Sequence, residues 1–236
     1  MVKLGIDFGT SRIGLALQIE GVEIPLRTID HSGYRKTLSR ILEEKKVEIV
    51  VIGLPISMSG RFSESTMRAV SFAEKVKNIY SGPVFLVDES LTTETAMRMS
   101  QEVGQDFSKV KDVFSAMQIL RNESSITARR WEVRERRVVC RDLREIPSNS
   151  RVLLYKPESA RIEGIDSLET DPGVFVEDPQ IFLAFKRKGM NPVNLIDDID
   201  FSTYDIIVIA CGEELDGKLD LNSEGPQVIE CSWLNG

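Results

Sequence analysis

Leu4-Gly5-Ile6-Asp7-Phe8-Gly9-Thr10-Ser11-Arg12-Ile13-Gly14-Leu15-Ala16-Leu17 is the stretch that decides how the rest of this sequence reads. An apolar run ends on a lone carboxylate, the chain turns at Gly9-Thr10-Ser11, and a second apolar run begins at Ile13. The pattern predicts a hairpin with an acid at the end of its first strand. An unpaired carboxylate closing a buried strand is costly, so Asp7 either binds something or organises the turn that follows it.

Working outward, strands are expected over 3–7, 12–18 and 23–29, joined by tight turns as an antiparallel meander. A helix over 34–46 follows, with Leu38, Ile41 and Leu42 at helical spacing, and then a fully apolar strand over 47–54. That order switches the sheet from antiparallel to parallel. A second helix is expected over 64–79, and a buried strand over 83–87 stops on Asp88-Glu89. Thr92 is placed to cap a helix reaching about residue 103, and a closing helix is expected over 109–121, with Asp112 one turn in. The first unit, residues 1–122, therefore reads as α/β with a mixed five-stranded sheet and flanking helices.

Residues 123–150 are rich in arginine interleaved with acids, a composition that fits a solvated connecting helix and linker better than a basic arm turned toward nucleic acid. Residues 151–236 alternate strands at 152–155, 174–177, 204–211 and 228–231 with one helix at 179–188, opened by Asp178 and Pro179, which predicts a second, small α/β domain. It shows no glycine-rich phosphate loop, metal cluster or nucleophile elbow.

The formal net charge of -7 hides a split. Residues 1–150 hold 23 Lys and Arg against 20 Asp and Glu, whereas residues 151–236 hold 7 against 17. Only the first unit is suited to a polyanion, and the acidic second unit is a candidate for a protein partner or self-association. Cys140, Cys211 and Cys231 are odd in number and lack metal-ligand spacing, so neither a disulfide framework nor a zinc site is expected, and a reducing cytoplasm fits. The N-terminus enters a strand directly and no apolar run has the length of a membrane span, so a soluble protein without a membrane partner is expected. With His31 the only histidine, a Ser-His-Asp triad is disfavoured and carboxylates are left to do any chemistry.

Three of those carboxylates share a placement: Asp7 and Glu89 at the ends of buried strands and Asp112 on the closing helix. Parallel strands ending on one edge can bring such acids to a single crevice. Clustered carboxylates repel unless a cation neutralises them, and hard oxygen donors suit Mg²⁺ or Mn²⁺.

Gly5-Ile6-Asp7-Phe8-Gly9-Thr10 with Arg12-Ile13-Gly14, Val51-Ile52-Gly53-Leu54-Pro55 with Gly60, Asp88-Glu89 with Leu91-Thr92-Thr93-Glu94, and Lys111-Asp112 with Ala116 and Ile119-Leu120 together resemble the YqgF (RuvX) family. These are ribonuclease H-like proteins described as Holliday junction resolvases and as pre-16S rRNA processing nucleases. The resemblance covers about residues 1–122. It implies a ribonuclease H-like fold and a metal-dependent nuclease centre with its acids on Asp7, Glu89 and Asp112 and with Asp88 as an auxiliary ligand. The family pattern usually carries an arginine after the acidic pair, where this chain has Ser90.

Around such a centre Thr10, Arg12, Ser57, Thr92, Lys109 and Lys111 are candidate contacts to a sugar or phosphate, although each also has an ordinary structural reading as a turn, cap or solvated residue. The function expected is phosphodiester hydrolysis on structured RNA or branched DNA. Two alternatives remain open at this stage: a non-catalytic RNA- or ribosome-associated binding module, and an ATP-binding protein of the actin and sugar kinase superfamily, suggested by Asp7-Phe8-Gly9-Thr10.

Overall fold

The computed structural model describes residues 1–89, 107–135, 138–140, 142–210 and 225–235. The chain divides into two units, Met1–Arg134 and Glu135–Gly236.

In the first unit, strands β1 (Val2–Phe8), β2 (Arg12–Ile19) and β3 (Val22–Asp30) form the antiparallel meander that the alternating apolar runs demand. Helix α1 (Tyr34–Glu44) buries Leu38, Ile41 and Leu42 and returns the chain to β4 (Ile49–Leu54), which pairs parallel to β1. Helix α2 (Glu64–Lys77) starts on a capping box in which Ser63 and Thr66 satisfy each other's backbone N–H groups. β5 (Val84–Asp88) then joins parallel to β4, and α3 (Phe107–Glu123) closes over the sheet.

A sixth strand, β6 (Arg130–Glu132), adds antiparallel to β5, so the order is β3-β2-β1-β4-β5-β6. The first five strands in the order 3-2-1-4-5, three antiparallel and then parallel, are the ribonuclease H-like arrangement.

Successive strand residues face opposite sides. Ala16, Val51 and Val87 pack under Ala116, Ile119 and Leu120 of α3. On the other face Phe8 stacks on Phe72 of α2, with ring centroids 4.2 Å apart, and Phe72 in turn meets Tyr34 of α1 at 5.3 Å. Asp7, next to Phe8, therefore belongs to the α3 face. At the far end of β1, Lys3 is buried and pairs with Glu123 of α3, whose carboxylate also accepts from Arg130 of β6 at 3.4 Å.

The second unit contains β7 (Val138–Cys140), β8 (Val152–Tyr155), β9 (Gly173–Phe175), α4 (Pro179–Arg187), β10 (Ile206–Ala210), β11 (Gln227–Cys231) and β12 (Trp233–Asn235). Four strands form an all-parallel sheet in the order β11-β10-β8-β9, and β12 pairs with β7 antiparallel. Asp178 caps α4 through the N–H groups of Gln180 and Ile181, with Pro179 in its first turn, as the sequence signature requires.

Two sequence expectations need correcting. The connecting helix expected over 123–150 is absent among the described residues: α3 ends at Glu123, Arg130 falls on the short strand β6, and Arg144 on a 3-10 turn at Asp142–Glu145. The physical reason is the alternation in 129–133, where Arg130 stacks on Phe85 and Val133 is buried, so β5's open edge outcompetes a solvated helix. The cysteine reading also changes, because Cys140 and Cys231 form a disulfide across 91 residues, both fully buried. A pair this far apart in sequence is invisible to spacing rules, and the argument for a reducing compartment loses its support. Among the described residues no helix is long and apolar enough to cross a membrane.

Candidate active site

β1, β4 and β5 run parallel, so their carboxyl ends share one edge of the sheet, and a cavity of about 310 Å³ opens there. Asp7, Phe8, Gly9 and Thr10 come from the end of β1 and its turn, Gly53 and Pro55 from the end of β4, and Glu89 from just beyond β5. The wall opposite is built by His31, Ser65 and Arg68.

Both acids carry their protons to unusual pH. Burial raises Asp7 from an ordinary 3.8 to about 6; the neighbouring Asp112 charge adds to the rise, while a hydrogen bond from the Ser115 hydroxyl and the Lys111 charge oppose it. Burial pushes Glu89 further, from 4.5 to about 8, and the charges of Asp7 and Asp88 reinforce the push. Burial and neighbouring negative charge thus disfavour the ionised form of both groups, Asp7 through Asp112 and Glu89 through Asp7 and Asp88, the electrostatic condition in which an added cation is most welcome.

Two glycines make this packing feasible. A Cβ on Gly53 would fall 1.5 Å from Glu89 Oε1, so the missing side chain is the room the carboxylate occupies. A Cβ on Gly14 would fall 2.0 Å from the Asp112 carbonyl oxygen, so α3 presses on β2 at the turn that carries Asp112.

Asp7 and Glu89 share the cavity, and Thr10 lies on its rim. Asp112 is close enough to act on Asp7, but its own carboxylate accepts from Arg12 Nε at 3.2 Å. Arg12 is therefore a partner of Asp112 across the β2–α3 packing.

Asp88, one residue before Glu89, points to the α2 side of the sheet and reaches Glu89 through its charge. Lys111 is exposed and acts on Asp7 through space. Ser57 is spent on its own loop, its hydroxyl donating to the Arg61 carbonyl at 2.8 Å and lying 3.0 Å from Ser59 Oγ. Lys109 sits in the first turn of α3. Thr92 and Ser90 lie outside the described residues.

The α2 wall is what sequence reasoning missed. His31 Nε2 donates to the Gly9 carbonyl at 3.0 Å, and the His31 ring meets Phe8 edge-on at 5.1 Å, which ties β3 to the turn after Asp7. The Thr66 hydroxyl donates to the Pro55 carbonyl and pins the start of α2 to the end of β4. With that turn fixed, Ser65 and Arg68, three apart on one helix face, are held toward the cavity. The only signal in sequence was that i, i+3 spacing.

The donor set fits a hard divalent cation. Two carboxylates whose affinity for protons is raised by burial and by nearby negative charge lie in a solvent-open cavity, and no sulfur donor lines it. Among the described residues no three acidic, cysteine or histidine side chains close around a common point, and Asp112 is engaged by Arg12.

A ribonuclease H-like sheet with paired acids at the carboxyl edge of its parallel strands defines a domain of the nuclease class. The sequence comparisons then specify it. Residues 1–123 match the family model RuvX, described as Holliday junction resolvase, and the chain belongs to that family. A protein of Rickettsia typhi named "Putative pre-16S rRNA nuclease" is 37% identical over 125 residues, which span 50% of this chain and 80% of that protein. One of the same name from Protochlamydia amoebophila is 39% identical over 135 residues, spanning 50% of this chain and 89% of that protein. A RuvC of Thermus thermophilus, solved in complex with a Holliday junction substrate, aligns with 56% of this chain and 99% of its own at 15% identity. Its TM-score of 0.38 adds nothing to the topology already described.

Proposed function

We propose that the first unit is a Mg²⁺- or Mn²⁺-dependent endonuclease that hydrolyses phosphodiester bonds in structured RNA, with precursor rRNA favoured over branched DNA. The observation that carries this reading is the shared cavity of Asp7 and Glu89, two carboxylates pushed up to about 6 and about 8 largely by burial and by neighbouring negative charge. The preference for rRNA leans on the names of the curated relatives, and the family description keeps the four-way junction as the second substrate to test.

Asp7 and Glu89 would hold the cation directly, and Asp112 would join them by exchanging Arg12 for it. A divalent ion in such a setting supplies an activated water and neutralises charge on the phosphate oxygens. Glu89 must surrender its proton for the ion to bind, so binding and deprotonation are coupled. Ser115, donating to Asp7, holds that carboxylate in one orientation. The guanidinium of Arg68 is placed to take a non-bridging phosphate oxygen from the opposite wall.

The test is cleavage of precursor rRNA and of four-way junctions with Mn²⁺ by the wild type and by Asp7→Asn. Loss of cleavage in the variant is expected; equal rates in both proteins would overturn the assignment.

A further inference from the structure

Strand β6 lies beyond the 1–123 match to the family, yet it is built onto the edge of the catalytic sheet. Trp131 pairs with Leu86 and Arg130 with Val87, and the Asp88 N–H donates to the Arg129 carbonyl at 3.1 Å. Arg129 thus sits beside the residue that precedes Glu89. Residues opposite one another in a ladder share a face. Val87 packs under α3, so Trp131 and Arg129, one residue to either side of Val87's partner Arg130, belong to the α2 face of the sheet.

On that face a small platform is assembled. Phe62, just before the cap of α2, meets the Trp131 ring edge-on with centroids 6.5 Å apart. The Arg129 guanidinium lies over the Trp131 ring, 5.2 Å from its centroid. Trp131 is only half-buried and Arg129 is exposed. The neighbouring arginines are occupied, Arg130 by Glu123 at 3.4 Å and Arg134 by Glu132 at 2.5 Å, whereas among the described residues Arg129 has no carboxylate partner. An indole face with a stacked, unneutralised guanidinium is an arrangement that accepts a base on one component and a phosphate on the other.

We infer that Arg129, Trp131 and Phe62 form a platform for the single-stranded flank of a nucleic-acid substrate, beside the acidic cavity. The bases of a duplex are already stacked on one another, so only an unpaired nucleotide can offer its face to the indole. The inference rests on the nuclease reading for the role of the strand, and binding is measured apart from cleavage.

The chain has two tryptophans, so Trp233→Phe leaves Trp131 as the only indole, read by excitation at the red edge where tyrosine does not absorb. The full-length Trp233→Phe protein is titrated in excess EDTA with a twelve-nucleotide oligouridylate, an oligothymidylate of equal length and a blunt duplex of equal length. Either single strand is expected to quench Trp131 emission, and the duplex to quench it far less. Adding Arg129→Ala is expected to weaken single-strand binding about three- to tenfold and to reduce the slope of log affinity against log salt by about one.

Arg129 is exposed, so that variant keeps the fold, and its thermal midpoint verifies this. Absence of quenching, equal quenching by the duplex, or unchanged affinity in Arg129→Ala overturns the platform. Should Asp7→Asn still cleave while the quench is present, the nuclease centre fails and the platform stands. Should Asp7→Asn lose cleavage with no quench in the parent, the platform fails and the nuclease centre stands.

Discussion

The two units use parallel strands in the same way and finish them differently. In the first, the carboxyl ends of β1, β4 and β5 present Asp7, the bare backbone of Gly53, and Glu89 around an open cavity. In the second, β8 and β9 run into Lys156 and Glu177, which neutralise one another at 3.2 Å while the Lys156 ammonium lies over the rings of Tyr155 and Phe175. A cavity of about 430 Å³ in the second unit lies at the opposite edge, among Arg151, Gly173, Asn191 and Tyr204, where its strands begin. At the ends of β8 and β9 the charges satisfy one another, whereas the edge that gathers Asp7 and Glu89 leaves negative charge for a ligand to neutralise. A parallel sheet supplies a place for chemistry, and the side chains at its strand ends decide whether the place is used.

The largest effect that separates the two edges is expected from Asp7→Asn, which should lower the cleavage rate with Mn²⁺ by roughly 10³-fold, the several kcal/mol that a metal centre contributes. Glu177→Gln in the second unit should leave the rate within about twofold. Comparable losses in both variants would erase the distinction.

Next comes the disulfide. Cys231→Ser should destabilise the second unit by about 2–5 kcal/mol, seen by calorimetry as a lowered transition, with cleavage by the first unit unchanged. A fall in cleavage would mean that the second unit contributes to the chemistry after all.

The third contrast is in pH. Glu89 keeps its proton to about 8 in the fold against an ordinary 4.5, so between those values the native state binds more protons than the unfolded chain. The stability it confers is complete below about 4.5 and is lost as pH rises through 8; Asp7 behaves alike between 3.8 and about 6. In EDTA, Glu89→Gln should therefore match the wild type near pH 4 and exceed it by ~1–3 kcal/mol at pH 8.5, measured by urea unfolding. Added Mn²⁺ should stabilise the wild type more than the variant. A pH-independent difference would show that Glu89 is not the strained acid.

The smallest effect is expected from Arg68→Ala, which should raise KM for the nucleic acid about three- to tenfold with kcat nearly kept, the cost of one exposed phosphate contact. An unchanged KM would remove the α2 wall from the substrate path.

Much of the first unit was legible because its periodicity is unambiguous. The alternating runs at 12–18 and 23–29, the apolar run at 47–54 and the helical spacing of Leu38, Ile41 and Leu42 became β2, β3, β4 and α1 with boundaries shifted by no more than two residues. Asp7 and Glu89 were legible as strands that stop on acid. The engagement of Asp112 by Arg12 was not, since the two are a hundred residues apart and meet only because α3 presses on Gly14. Nor were β6 and the bond between Cys140 and Cys231, whose residues carry ordinary loop signals and take their roles from partners far along the chain.

Local order in the sequence thus determined the elements, their sequence of antiparallel and parallel pairings, and the chemical kind of the acids, because hydrophobic periodicity and turn residues act over a few positions. Only the tertiary structure decided which acids share a cavity, which cations neutralise them and which helix face completes the wall. Those choices depend on distances between residues that the chain itself keeps far apart, and electrostatics and burial respond to distance in space.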